Sequence, residues 1–452
     1  MGKNTEYRTS LRLDEDTHQK IEALCHRDGD QMSLSAWFAK AIAEKIGRDT
    51  GNASTPPSST PAHSFLEFFC GGGMARAGLG DSWQCLFAND FDPMKARVYR
   101  DNWDGGHELL VEDINKITPA QLPGGAKLAW ASFPCQDLSL AGNYEGIGHW
   151  QDKEQTRSGT FWPFWKLIRA LKDEKRAPPI IVLENVYGVL TSNGGRDFSA
   201  IGSAFTSAGY RFGAMVIDAR LFVPHSRPRV FVVGVRSDVF IPEGLLSKAS
   251  VSPWHPAGLV SAHGRLTREA KKQWVWWNLA LPKPRAENFV DLIEDDPIGV
   301  QWHTAQQTKK LIAMMSALNK EKFDQAQSTG VKTVGAIYKR TRLDEEGGKV
   351  QRAEVRFDDV AGCLRTPAGG SSRQIILVVE GKKVRSRLIS PREAARLMGL
   401  SDAYKLPSNY NDAYHVAGDG VAVPVVAHLA RHIFEPILEG VGKMVSIDRK
   451  VA

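Results

Sequence analysis

The 452-residue chain has no uninterrupted apolar run approaching the ~20 residues that a bilayer-spanning helix needs. Its N-terminus is polar, where an export signal would be basic and then greasy. A cytoplasmic protein with no membrane partner is therefore expected. Cysteine is scarce: Cys25, Cys70, Cys85, Cys135 and Cys363 are odd in number, scattered and free of C-x-x-C spacing, so reduced thiols are expected and neither a zinc site nor any other bound metal. A Walker lysine pattern and a complete G-x-G-x-x-G are also missing, which disfavours a triphosphate or dinucleotide ligand. The balance of 58 Lys and Arg against 51 Asp and Glu, a formal +7, suits a polyanionic partner but is common in proteins that bind none.

What is present divides into a small and a large part. Residues Thr50 to His63 are rich in Ser, Thr and Pro, have almost nothing to bury, and read as a solvated linker. Ahead of it, Thr9, Leu11 and Leu13 alternate with Arg8, Ser10 and Arg12 in the period of a strand with one apolar face. Asp14 to Asp16 then open a helix carrying Ile21 and Leu24, Gly29 breaks it, and a second helix places Phe38, Ile42 and Ile46 on one side. A lone strand in fewer than 50 residues makes little core, so this module is expected to pair its strand with that of a second copy. It resembles the ribbon-helix-helix DNA-binding domains, which implies Arg8, Ser10 and Arg12 as the side chains facing the major groove. A dimerisation arm without base contacts is the alternative.

From Phe65 onward, short apolar runs (FLEFF, CLFAND, KLAWASFP, IIVLENV, FGAMVID, VFVVGV) end in Gly, Asp or Pro and alternate with helical stretches. That rhythm predicts an α/β fold with a doubly wound, mostly parallel sheet. Residues 241–385 break it with Trp254, Trp274, Trp276, Trp277 and Trp302 among many basic residues, and read as an inserted domain. The expected organisation is thus 1–48 small module, 49–63 linker, 64–240 first catalytic part, 241–385 variable region and 386–452 C-terminal catalytic part.

Chemistry-bearing residues gather where the predicted strands end. Phe69-Cys70-Gly71-Gly72-Gly73 closes the first strand, and glycine there lets backbone turn tightly against a ligand. Alone this could be an ordinary turn. Asp90 ends the second strand with a carboxylate able to accept ribose hydroxyls, and Asp113 follows the third, so a nucleoside-type cofactor fits best. Cys135, in Ser132-Phe133-Pro134-Cys135, falls on the same sheet edge. A thiol there suits a nucleophile, although a lone cysteine is more often a small buried hydrophobe. Glu184 ends the apolar strand Ile180 to Leu183, where a carboxyl can hold and deliver a proton or cap the next helix.

In this order the motifs resemble those of the cytosine-5 DNA methyltransferase family, from Phe65 almost to the C-terminus. FFCGGG resembles its cofactor loop, SFPCQDLS its Pro-Cys loop, ENV its Glu-Asn-Val motif and HSRPR (His225 to Arg229) its Q-x-R-x-R element; RLISPREAARLMGL and GDGVAVPVV resemble its last two motifs. The resemblance implies an enzyme that flips cytosine out of double-stranded DNA and methylates carbon 5 from S-adenosylmethionine through a covalent Cys135 adduct. It implies Glu184 at ring nitrogen 3, with Arg229, and Arg227 behind it, gripping the nucleotide. It places the cofactor on Phe69, Gly71, Gly73, Asp90, Asp113, Ile114 and Pro134, with the backbone near Val421 closing the site. Three positions depart from the pattern: His225 stands for the usual Gln, Asp419 for Asn and Ser390 for Thr. His can still donate one hydrogen bond, whereas Asp419 adds a negative charge near the cofactor.

The variable region is where such enzymes read their target. Within it Arg365, Thr366, Gly369, Gly370, Ser371 and Arg373 suit a loop that tracks a nucleic-acid backbone, while each Trp is a core candidate first. Two rivals remain open: a transfer-RNA cytosine methyltransferase with the same motifs, and a regulator whose large domain is vestigial. A restriction endonuclease partner and autoregulation through the N-terminal module complete the expectations.

Overall fold

A computed structural model describes residues 62–134, 157–344, 347–364 and 373–440. The expected N-terminal module, Cys135 with its following loop, and Arg365 to Ser371 lie outside the described residues.

The sheet begins at the last residue of the expected linker, with β1 (His63–Phe68), then α1 (Met74–Leu79), β2 (Trp83–Asp90), α2 (Pro93–Asn102), β3 (Leu109–Val111) and β4 (Leu128–Ala131). It continues through α3 (Phe161–Asp173), β5 (Ile180–Val186), α4 (Arg196–Ser207), β6 (Tyr210–Asp218) and β7 (Pro228–Arg236). Strand order is β3-β2-β1-β4-β5-β7-β6, with β3 through β5 parallel and β7 antiparallel to both its neighbours. Alternate residues of each strand feed two cores: Phe65, Trp130 and Val182 on one face, Leu66, Ala131 and Leu183 on the other. The second face is covered by α3, whose Phe161, Phe164, Trp165, Ile168 and Leu171 recur at helical spacing and are buried. The mostly parallel α/β sheet read from the sequence is thus observed.

Residues 246–277 correct the reading of a single inserted region. The short strands β8 (Leu246–Ser247) and β9 (Trp276–Trp277), with α5 (Ala257–Gly264) and α6 (Arg268–Gln273) between them, pack on the edge strand β6. Val275 donates its N–H to Phe212, Val216 donates to Trp254, and Trp254 and Trp277 are buried in the main core. A second sheet comes later. After α7 (Ala305–Ala313) and α8 (Ala317–Ser328), strands β10 (Thr333–Leu343), β11 (Lys349–Arg356), β12 (Ile375–Glu380) and β13 (Lys383–Leu388) form an antiparallel sheet in the order β11-β10-β12-β13. One face packs Ile337, Val355 and Leu377 with Leu311 of α7 and Phe323 of α8; the other contributes Val334, Ala336, Ile376 and Val378 to the main core. Trp302 is half-buried beneath the guanidinium groups of Arg385 and Arg387.

The chain returns to the first sheet through α9 (Pro391–Arg396), α10 (Tyr410–Asp419) and α11 (Val423–Leu429). Ser390 caps α9 in a capping box with Glu393, which explains why a serine serves where the family often has threonine: both supply the same hydroxyl. The stretch Tyr410–Gly440 is long and apolar enough to cross a membrane by length and composition, but 56% of its apolar window is buried in the fold. It is also interrupted at Gly420 to Ala422, where the chain is not helical.

Candidate active site

Asp90 is placed by the strand that ends in it and by the turn that β1 runs into. Its two oxygens accept the N–H groups of Gly71 and Asp92, each at 2.9 Å. Both carboxylate oxygens retain lone pairs for a ligand, since an ionised carboxylate accepts at about four sites. The three glycines beside it have different reasons to be glycine. Gly71 has a positive φ of 55°, and a Cβ built on it would meet open space, so this backbone is available to a ligand. A Cβ at Gly72 would collide with the Tyr404 hydroxyl and one at Gly73 with the Trp103 indole; Gly73 is therefore shaped by packing as well as by any cofactor. Gly72 O accepts from both Tyr404 Oη and Trp103 Nε1, at 2.8 and 3.0 Å.

Next to Asp90 the sequence reading missed Phe91, which is 68% exposed at the carboxyl edge of the sheet. A large apolar ring left in solvent beside a carboxylate is a signal in its own right, because an aromatic face suits a purine. Asp113 is exposed and caps the turn that follows it through Asn115 N, whereas the Ile114 side chain is buried in the core. Open backbone at Gly71, a carboxylate at Asp90 and an exposed ring at Phe91 together fit a nucleoside-type cofactor. Beneath them lies Glu67, 1% exposed, with Oε2 lacking a hydrogen-bond partner; burial pushes its carboxyl up to about 8 despite nearby Arg76.

Glu184 lies at the end of β5, and the antiparallel neighbour β7 brings Arg229 opposite Val186. Arg229 Nε sits 3.1 Å from Glu184 Oε1, with both side chains mostly buried. The pairing register thus builds a carboxylate held by a guanidinium at one sheet edge. The adjoining Asn185 donates to the carbonyl of Phe133 at 3.1 Å, fixing the strand end that leads through Pro134 to Cys135. That role of Asn185 was not read from the sequence.

Arg227 departs from expectation. It was expected behind Arg229 on the nucleotide, yet it is 2% exposed and donates from Nη2 to the carbonyls of Gly418 and Gly420, both at 2.7 Å. Its Nη1 reaches Leu364 O at 3.4 Å and Cys363 Sγ at 3.7 Å. Arg227 is a clamp on the segment that carries Val421, not a phosphate grip. Burial works against ionisation of Cys363, but Arg227, with His225 and Arg229, holds the thiol well below its ordinary value. His225, in the place of the family glutamine, is fully buried and kept neutral by that burial. Its Nδ1 pairs with Leu397 O and its Nε2 accepts from Leu364 N, each at 3.1 Å. A glutamine side chain also offers one donor and one acceptor, so the exchange is chemically matched.

Asp419 is ion-paired with Lys95 at 2.9 Å, so the charge that looked uncomfortable in the sequence has a counterion. Arg373 was expected on DNA, but its guanidinium lies over the Tyr410 ring and hydrogen-bonds Asn411 of α10.

With this geometry established, comparison with known proteins is direct. Residues 63–435 match the family described as C-5 cytosine-specific DNA methylase. The chain is 26% identical over 378 residues to the type II methyltransferase M.BsuFI of Bacillus subtilis, covering 83% of this chain and 73% of that one. It is 24% identical over 380 residues to the type II methyltransferase M.HhaI of Haemophilus parahaemolyticus, covering 82% and 93%. Its fold is similar to a crystal structure of Spodoptera frugiperda DNMT2, with a TM-score of 0.50 at 16% identity over 83% of this chain and 99% of that one. The match spans the glycine turn, the Glu184–Arg229 pair and the C-terminal return alike, and on it the chain belongs to the C-5 cytosine-specific DNA methylase family: it is a DNA cytosine-5 methyltransferase that uses S-adenosylmethionine.

Proposed function

We propose that Cys135 is the covalent nucleophile and that the Glu184–Arg229 pair receives a cytosine flipped out of the duplex. The observation that carries this reading is the buried Glu184 carboxylate, 3.1 Å from Arg229 and one residue from the Asn185 that anchors Phe133. When bound, S-adenosylmethionine supplies an electrophilic methyl group; Phe69, Gly71, Asp90, Phe91, Asp113 and the backbone near Val421 would hold it. The rest is the work of this chain. Cys135 as thiolate adds to carbon 6 of cytosine, forming an S–C bond and pushing the ring electron pair toward carbon 5. Glu184 holds a proton or hydrogen bond at nitrogen 3, which stabilises the adduct, and Arg229 fixes the carboxyl that does so. With the methyl group then on carbon 5 and its donor released as a neutral thioether, loss of the carbon 5 proton to water restores the 5,6 double bond and expels the Cys135 thiolate.

The test is transfer of tritium from labelled S-adenosylmethionine to mixed-sequence duplex DNA, with bisulfite mapping and a Cys135→Ala control. Label at one recurring short sequence, absent in the control, is the expected result. Label unaffected by Cys135→Ala would remove the nucleophile assignment.

For the finer organisation, the reading is that the variable region reads the target sequence through β10–β13 and Arg365, Thr366, Gly369, Gly370 and Ser371, while residues 1–48 form a ribbon-helix-helix module that dimerises and binds DNA through Arg8, Ser10 and Arg12. The alternation of Thr9, Leu11 and Leu13 with those residues supports the module, which precedes the family match. A restriction-modification role beside a cognate endonuclease accords with relatives named type II methyltransferases. Sedimentation and gel shifts of the full chain against an Arg8→Ala/Arg12→Ala variant test the module. Dimerisation with specific binding lost in the variant is expected; a monomer indifferent to both substitutions would dismiss it.

A further inference from the structure

The Gly418–Gly420 turn is held from two sides. Arg227 takes the carbonyls of Gly418 and Gly420, and Lys95 takes the carboxylate between them. Lys95 is the third residue of α2, which starts immediately beyond Asp90 and is capped by Asp92 through the N–H groups of Met94 and Lys95. One ammonium thus serves three carboxylates: Asp419 in direct contact, with Asp90 and Asp92 in its field. The charged and titratable groups facing Asp90 are Lys95 on α2, Asp92 capping it, Glu67 on β1 and Cys70 in the turn, with Asp419 across the lysine.

We propose that Lys95 is a positioning residue of the cofactor site: held by Asp419, it neutralises the carboxylates around Asp90 and ties the start of α2 to the Gly418–Gly420 turn, and so lets this chain carry aspartate where its family carries asparagine. The inference rests on the reading of Asp90 as the ribose-binding carboxylate. Burial pushes the Asp90 carboxyl above its usual range, and Lys95 is the strongest influence opposing that rise. Burial also works against the Lys95 charge, which Asp419, ahead of Asp90, keeps in place. Without Lys95, Asp90 would take up a proton at higher pH and accept ribose hydroxyls less well as pH falls. The ion pair is partly exposed, with side-chain exposures of 21% and 38%, so its bare contribution to stability is small. Its effect belongs on ligand affinity.

The experiment is calorimetric titration of S-adenosylmethionine into the full chain from about pH 6 to about pH 8.5, where a shifted carboxylate would report. It compares Lys95→Met, Lys95→Arg, Asp419→Asn, Lys95→Met/Asp419→Asn and Asp90→Ala. Lys95→Met is expected to weaken binding about tenfold near neutral pH, and further as pH falls. The double variant should recover to within about threefold of wild type, and Lys95→Arg and Asp419→Asn to within about twofold. Thermal midpoints without cofactor should stay within about 2 °C of wild type, which separates the effect from loss of fold. Wild-type affinity in Lys95→Met at every pH, or no recovery in the double variant, would overturn the proposal. Wild-type affinity in Asp90→Ala would instead overturn the ribose reading, and the inference with it.

Discussion

The central strands of the seven-stranded sheet are buried on both faces, so β5 runs Ile180 to Asn185 without an exposed residue, whereas β11 in the four-stranded sheet is open or half-buried over Lys349 to Arg352 and has only Ala353 and Val355 buried. The difference decides where chemistry can be placed. In a strand covered on both sides a polar side chain is costly except near the end: Asp90 ends β2 and Glu184 lies two residues from the end of β5. In the antiparallel sheet β12 pairs β10 only as far as Ile337; beyond it β10 and β11 continue as a two-stranded ribbon bearing Arg340, Arg342 and Arg352. Such a ribbon offers many changeable side chains and no single indispensable one. The first design suits a fixed reaction, the second a variable target.

Substitutions can sharpen that contrast or break it. The largest effect is expected at a strand end: Glu184→Gln should lower kcat by about 10²–10⁴-fold with cofactor affinity retained, measured by single-turnover methyl transfer. A loss within threefold would mean that the strand-end carboxyl is structural. At the joint between the two sheets, Arg387 and Glu393 are fully buried and paired through two hydrogen bonds of 2.7 and 2.6 Å. Arg387→Met should cost about 3–5 kcal/mol in denaturant unfolding by leaving a buried carboxylate with only the N–H groups of Ser390 and Glu294 and no counterion, and adding Glu393→Leu should recover part of it. If the sheets unfold independently, the loss will appear in only one of two transitions.

Glu67 tests the cost of burial itself, because it is 1% exposed, one residue short of the end of β1, and its Oε2 has no hydrogen-bond partner. A carboxyl raised to about 8 on folding binds its proton more tightly in the folded state, so stability is greatest below the ordinary value near 4.5 and declines as pH rises through about 8. Glu67→Gln should therefore stabilise the protein by about 1–3 kcal/mol near pH 9 and change little near pH 5, followed by thermal midpoint against pH. A pH-independent difference would place the charge elsewhere. The smallest effect is expected on the outer helix α8, where Lys320 pairs with Asp324 one turn on. Lys320→Ala should alter stability by no more than about 0.5 kcal/mol.

Much of this was legible in the chain itself. The apolar runs marked β1, β2, β4, β5, β6 and β7, and the residues ending them marked the sheet edge, because burial on both faces writes an unbroken signal. Other features depend on partners far away in sequence. Nothing in VFVVGV says that β7 inserts between β5 and β6, yet that placement sets Arg229 against Glu184. Arg227 and Arg229 look equivalent in HSRPR, but Arg227 precedes the strand and is claimed by carbonyls almost 200 residues on. Asp419 looked like a liability until α2 supplied Lys95. Residues 246–277 had no readable period, since β8 and β9 are two residues each.

One packing contact has a bearing on how the enzyme comes into being. Gly78, in the first helix, lies so close to Val423 and Val426 of α11 that a methyl group would not fit between them. The opening motif of the catalytic domain is therefore seated on a segment that is synthesised long after it. A nascent or truncated chain lacking that segment has the cofactor turn but not its backing, and native contacts this distant in sequence close late in folding. Chains that stop before α11 would lack that backing, and methyl transfer should require synthesis to have passed it.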